Sequence, residues 1–220
     1  MKNIVIIGNS SFSRLLYQYM IEDGYSNIVA FSVNKAFLTG ETGFSTINIV
    51  ALEDLSVLYP PDKTILVMGI GYTAMNTVRE KVYCECKKMG YEFMSYIHST
   101  AKISSSAEIG EGNIILEYTN IAPFVKLGNC NLLWDYVSIA HEDNVGNFNT
   151  FSGAAGLSGC VLVGNNCFFG KHSYTVDHIS VADFTLIGAG AGVKSNTSPY
   201  DVIVPAKSVT LPGRKSTEFI

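Results

Sequence analysis

A period of six residues, sustained without insertion from Ile97 to Val193, restricts what this chain can fold into more than any other feature. Taking every sixth residue gives Ile97, Ile103, Ile109, Ile115, Ile121, Leu127, Leu133, Ile139, Val145, Phe151, Leu157, Val163, Phe169, Thr175, Val181, Ile187 and Val193; all but Thr175 are aliphatic or Phe. Four residues after each, the column is mostly small: Ala101, Ala107, Asn113, Thr119, Val125, Asn131, Val137, Asp143, Asn149, Ala155, Val161, Cys167, Ser173. A large apolar residue at i and a small one at i+4, repeated, is the hexapeptide signature of a parallel β-helix, whose two columns both point into a narrow prism. Glycine recurs at 110, 128, 146 and 164, a spacing of 18, so three hexapeptides make one coil of a three-sided solenoid.

The 18-residue coil converts sequence into geometry, because residues 18 apart stack on one wall about 4.8 Å apart. His141, two positions after Ile139, points away from the packed interior, and one coil above it lies Gly159, with Asp177 above that. Room is therefore expected against the wall above His141. Glu142 follows directly, and a carboxylate that fixes one imidazole nitrogen suits the other to general base catalysis. Four histidines are present: His98, His141, His172 and His178. A three-histidine metal site, as in gamma-type carbonic anhydrases, needs ligands stacked on facing walls, but His178 misses the two-coil step from His141 by one residue and His172 falls on another face. No metal is expected.

Residues 1–96 read differently. "NIVIIG" (3–8), "NIVAFSV" (27–33), "TILVMGI" (64–70) and "FMSYI" (93–97) are strand runs. Between them, Phe12, Leu15, Leu16, Tyr19 and Met20 mark one face of a helix ended by Gly24, and Val78, Val82, Cys86 and Met89 mark another. Strands separated by helices imply right-handed βαβ units and a small parallel sheet. Gly8 ends the first strand and "NSSFS", Asn9, Ser10, Ser11, Phe12 and Ser13, opens the first helix, so backbone N–H groups and the helix dipole make a pyrophosphate-sized anion site. The glycines of a dinucleotide fingerprint are absent there, and Ser32-Val33-Asn34 stands where a ribose-binding acid would be, which argues against NAD. "MGIGYTAMNTVR" (68–79) would line the same crevice through Gly69, Gly71 and Tyr72.

Charged residues are only 15% of the chain and the net charge is −4, with no dense Lys/Arg cluster, so nucleic acid is not an expected partner. A mean hydropathy of +0.23 leads us to expect outer faces of the prism covered by other subunits. No apolar run approaches the ~18 residues of a membrane span, and the opening "MKNIVIIG" is too short for a signal peptide, so a cytoplasmic protein is expected. Five cysteines without a CxxC pair read as buried free thiols.

Several segments carry a family resemblance: "IVIIGNSSFS", "SYIHSTAKI", "IAHEDNVGNF", "GLSGCVLVGNNCFFGK", "LIGAGAGV" and "VPAK". They resemble the hexapeptide-repeat acyltransferases, in the two-domain branch of nucleotide-sugar N-acetyltransferases and sialic acid O-acetyltransferases. The resemblance implies a Rossmann-like nucleotide-sugar-binding domain over 1–96 and a left-handed β-helix acyltransferase domain over 97–220, assembled as homotrimers with active sites between subunits. It implies His141 as base, oriented by Glu142, and acetyl-CoA against Gly159, Gly164, Gly170, Lys171, Ala189 and Lys207, with the Gly159 N–H on the thioester carbonyl. The nucleotide-linked amino sugar would sit on Gly8 to Ser13 with Gly71 and Tyr72. The family's loop there is of the type G-x-S-G-x-G; this chain keeps Gly8 and Ser10 but has Ser11, Phe12 and Ser13 for the rest. Cys160, beside Gly159, is expected to be a small outer residue. Alternatives are O-acetylation of a sugar or sialic acid, and a non-catalytic nucleotide-sugar-binding β-helix.

Overall fold

A computed structural model describes residues 2–38, 43–44 and 47–218. The amino-terminal part is a five-stranded sheet of β1 (Asn3–Ile7), β2 (Ile28–Val33), β3 (Gly43–Phe44), β4 (Ile47–Ala51) and β5 (Thr64–Met68). Its order is β3-β4-β2-β1-β5, with β3 antiparallel on the edge and every other pairing parallel. Three helices accompany it: α1 (Ser11–Glu22), α2 (Leu55–Leu58) and α3 (Thr77–Lys88). Because β1 is an interior strand between β2 and β5, Val5, Ile6 and Ile7 are buried, which is why the segment reads as a continuous apolar run. Sequence reading missed β4, whose Ile47–Ala51 alternates too briefly to stand out. It also merged two pieces in "FMSYI": Phe93 makes an isolated parallel bridge to Leu66, whereas Tyr96–Ile97 is already the first rung of the solenoid.

From Tyr96 onward the chain winds through two-residue strands on three faces. Face 1 stacks Tyr96–Ile97, Ile114–Ile115, Leu132–Leu133, Thr150–Phe151, Phe168–Phe169, Leu186–Ile187 and Val202–Ile203. Face 2 runs through Lys102–Ile103, Asn120–Ile121, Ser138–Ile139, Gly156, Tyr174–Thr175 and Gly192–Val193; face 3 through Glu108–Ile109, Lys126–Leu127, Asn144–Val145, Leu162–Val163 and Ser180–Val181. Register is n to n+18, for example Leu132 on Thr150 and Lys126 on Asn144, up to the last rung of face 1, where Leu186 pairs with Val202 at n+16. The hexapeptide columns fill the prism as expected, with Ile115, Ile139, Phe151, Phe169 and Ile187 fully buried and Phe151 stacked on Phe169 at 4.3 Å.

The corners explain the glycines. Asn113, Asn131 and Asn149 form an internal ladder, each Oδ1 accepting the backbone N–H of the residue one coil above, at 2.7–2.8 Å. Their amides donate to the carbonyls of Gly128, Gly146 and Gly164. A Cβ at Gly128 would lie 2.6 Å from the Gly146 carbonyl oxygen, so stacked carbonyls leave no room for a side chain. Every corner also carries a residue in the left-handed conformation, from Tyr118 at φ 54° to Phe184 at φ 58°. Such residues cost roughly 1–2 kcal/mol each when not glycine, offset here by the coil-to-coil hydrogen bonds.

The amino-terminal part docks on face 1. Leu16 and Met20 of α1 pack with Tyr96, Ile114, Leu116 and Leu132, and Val82 and Cys86 of α3 pack in one cluster with Cys130 and Phe148. A buried guanidinium pins the junction. Arg79, in the first turn of α3, is 1% exposed and donates to the carbonyls of Gly71, Cys130, Phe148 and Asn149 and to Thr150 Oγ1. Asn76, also buried, donates to the Cys167 carbonyl and accepts from Thr150 Oγ1. These contacts hold Ala74, Met75 and Asn76 in three successive positive-φ conformations ahead of α3.

Candidate active site

His141 stands on the corner between faces 2 and 3, with Gly159 one coil above it. The carbonyl of His141 accepts the N–H of Cys160, which locks that stacking. Its Nδ1 lies 3.1 Å from Glu142 Oε2, and Glu142 takes a φ of 61° that brings its side chain beside the ring. With Nδ1–H donating to the carboxylate, the free lone pair is on Nε2. That nitrogen faces Gly159: a Cβ there would sit 2.6 Å from Nε2 and 2.7 Å from Cε1. The sequence suggests an empty space above His141; in the structure the imidazole itself occupies it. Only glycine permits this ring position. Among the described residues no protein acceptor takes the Gly159 N–H, which leaves a donor next to the base.

Asp143, the next residue, is buried inside the prism, where its oxygens accept the N–H groups of Ala140 and Val161 at 2.8 Å. Burial pushes its carboxyl up to about 7, against the pull of those two donors and of His141. Cys160 Sγ lies 3.8 Å from Glu142 Oε2. Desolvation and the Glu142 carboxylate hold its thiol above the ordinary value, which disfavours a thiolate nucleophile. All five cysteines are free, but only Cys86, Cys130 and Cys167 are buried; Cys84 is exposed and Cys160 partly so, a correction to the expectation of buried thiols.

The remaining residues expected against acetyl-CoA scatter over one chain. Gly170, Lys171 and Ala189 lie at the corner between faces 1 and 2, on the other side of face 2 from His141, and Lys207 is exposed near the carboxyl end. Gly164 and Gly170 have a packing reason to be glycine, since a Cβ would strike the Asp183 carboxylate in one case and the Ala189 backbone in the other.

The amino-terminal residues divide between two hollows. Gly8, Asn9, Ser10 and Gly71 line a cavity of about 220 Å³ at the carboxyl ends of β1, β2 and β5, together with Ser32, Asn34, Phe37, Leu52 and Thr73. Gly8 has φ 115°, and a Cβ on it would meet the Gly69 carbonyl and Ser13 Oγ, each at 2.8 Å. Ser32 is fully buried there and its hydroxyl has no protein partner. Ser11 is exposed and lines neither hollow; Ser13 is buried in the first turn of α1, donating to the Gly69 carbonyl and accepting from the Ser10 N–H. Phe12 packs on Trp134, and Tyr72 on Phe168. Tyr72 thereby lines a second, smaller cleft of about 170 Å³ with Trp134, Asp135, Ser152, Gly153 and Lys171. Sequence reading passed over Asp135, although the signal used for His141 was available: Gly153 stands 18 residues on, and its missing Cβ would lie 2.8 Å from Asp135 Oδ1. The side chain of Ser32 carried no comparable signal. His141 lines neither hollow.

No family model matches the chain. Among solved structures it is similar to PerB from Caulobacter crescentus, solved in complex with CoA and GDP-perosamine, at TM-score 0.83 and 20% identity, covering 93% of this chain and 95% of that one. It is similar to the acetyltransferase domain of PglB from Neisseria gonorrhoeae at TM-score 0.82 and 17% identity, covering 95% and 100%. It is also similar to WeeI from Acinetobacter baumannii at TM-score 0.82 and 20% identity, covering 93% and 97%. The chain therefore has the same two-part fold, a small parallel sheet followed by a left-handed β-helix, over nearly its whole length.

Proposed function

We propose that this protein is a cytoplasmic acetyl-CoA-dependent N-acetyltransferase acting on a nucleotide-linked amino sugar, with residues 1–96 binding the nucleotide and 97–220 carrying acyl transfer. The observation that carries the reading is the unit His141–Glu142–Gly159: a base whose Nδ1 is tied to a carboxylate and whose Nε2 lies beside an unpartnered backbone N–H. Likeness in fold to an enzyme solved with CoA and GDP-perosamine supports it. In this reading Nε2 of His141 takes the proton of the sugar amine as the amine attacks the thioester carbon, a contribution of roughly 10²- to 10⁴-fold. The Gly159 N–H stabilises the developing oxyanion, worth about 3 kcal/mol in comparable sites. The Glu142 carboxylate stabilises the imidazolium that forms, and no covalent enzyme intermediate is needed.

The cavity with the orphaned Ser32 hydroxyl supports nucleotide binding, since a buried hydroxyl without a partner costs about 1–3 kcal/mol until a ligand satisfies it. On the other side of the Gly71–Thr73 segment, the cleft offers the sugar and its phosphate a carboxylate, an ammonium and two aromatic walls: Asp135, Lys171, Trp134 and Tyr72. A homotrimer completes the arrangement, because His141 lines neither hollow of its own chain while the solenoid exposes Phe124 and a stacked Tyr118–Tyr136 pair. Light scattering should give the mass of three 23.9 kDa chains. Thiol release from acetyl-CoA against a panel of nucleotide-linked amino sugars tests the activity. Tight nucleotide-sugar binding without thiol release from any acceptor would make the protein a sensor instead.

A further inference from the structure

Three metal-ligand atoms of different chemistry converge beside the base. His141 Nδ1 and Glu142 Oε2 are 3.1 Å apart, Glu142 Oε2 and Cys160 Sγ 3.8 Å, and all three ligand groups lie within 4.8 Å of one another. The 18-residue coil fixes this: Glu142 and Cys160 occupy one corner column in successive coils. Zinc bonds of about 2.3 Å to sulfur and about 2.0–2.2 Å to nitrogen and oxygen set tetrahedral ligand atoms roughly 3.4–3.6 Å apart. The histidine–glutamate and glutamate–cysteine separations bracket that range. The side chains of His141 and Glu142 are each about 60% exposed, so small rotations close the rest and a cation reaches the corner from solvent.

We propose that this corner is an inhibitory binding site for a soft divalent cation such as Zn²⁺, held by His141 Nδ1, Glu142 and Cys160. Coordination balances simply. The Cys160 thiol loses its proton to solvent, as thiols do on a cation, and the metal takes the Nδ1 lone pair. The neutral imidazole then carries its proton on Nε2. Nε2 becomes a donor facing Gly159 and can no longer accept the proton of an attacking amine. Binding and inhibition are thus linked through the tautomer, without displacement of the backbone. The inhibition rests on the reading of His141 as a general base; the binding does not.

Both parts can be measured on the full chain after chelator treatment. Titration with Zn²⁺ against a chromophoric chelator should show one Cys160-dependent site per chain, weakened roughly 10- to 100-fold in Cys160→Ala, at least as much as an outer-shell change brings. Co²⁺ in place of Zn²⁺ should give a thiolate-to-metal charge-transfer band that Cys160→Ala abolishes. Metal-free Cys160→Ala should retain wild-type acetyl transfer and resist Zn²⁺ concentrations that silence the wild type. Equal Zn²⁺ affinity in the two proteins, or no cobalt–thiolate band, overturns the site; Cys160-dependent binding with unimpaired transfer overturns the tautomer argument. Absence of transfer in metal-free wild-type protein refutes the acetyltransferase reading and leaves the site to stand or fall on the binding data.

Discussion

Replacing Gly159 by alanine isolates the position of the base from everything else in the molecule. The backbone at Gly159 is not in the left-handed region, so alanine meets no conformational penalty there. The added methyl would stand 2.6 Å from Nε2, 2.7 Å from Cε1 and 3.2 Å from Cδ2 of His141, and it meets only that ring among its nearest atoms. Restoring the 3.4 Å of ordinary contact requires the imidazole to withdraw by about 0.8 Å, and misplacement of a reacting group by about 1 Å costs about 10²-fold. We expect kcat to fall by about 10²-fold, ~2.7 kcal/mol of transition-state stabilisation. Stability should not fall with it: His141 is exposed enough to swing outward, and Gly→Ala at a compatible backbone adds about 0.4–1 kcal/mol. The assay pairs thiol release with thermal unfolding on the same preparation. In a His141→Asn background the alanine should cost no further activity, because both changes act through one ring. A fully active Gly159→Ala protein, or activity that merely tracks a lowered melting temperature, would refute the placement of the base.

Further outcomes follow from the structure. His141→Asn should lower kcat by at least ~10²-fold with acetyl-CoA affinity little changed, and Glu142→Gln should cost less; steady-state kinetics with binding calorimetry decides both. Arg79→Met should lower stability by at least ~2 kcal/mol in urea unfolding, since it strips the donor from the buried carbonyls of Cys130 and Phe148, at about 1–3 kcal/mol for each left unsatisfied. Asp143 should impose an acid-side stability maximum. Its folded value of about 7 exceeds the ordinary 3.8, so the folded chain holds a proton the unfolded chain has lost, and stability declines as pH rises from about 4 to about 7, by at most ~1.4 kcal/mol per pH unit. Asp143→Asn should flatten that slope in denaturation measured across the range.

What the sequence determined by itself is the solenoid and what the solenoid stacks. A periodic fold makes spatial neighbourhood a linear function of residue number, so Ile139 inward, His141 outward and Gly159 above it are legible by counting, as are the Glu142–Cys160 column and the overlooked Asp135–Gly153 pair. The tertiary structure decided the rest. Arg79 and Asn76 carry helix-surface chemistry in sequence, yet both are buried, because the carbonyls they satisfy at Cys130, Phe148, Asn149 and Cys167 come from coils 51 to 91 residues away. The docking of α1 and α3 on face 1, the cavity around Ser32 and the cleft at Trp134 depend on how two separately periodic pieces meet, and no periodicity within either piece encodes that meeting. Even at His141 the count gives only the wall and the glycine. That the imidazole fills the space above it depends on a side-chain rotation, set by Glu142 in its left-handed corner and by the absence of one Cβ.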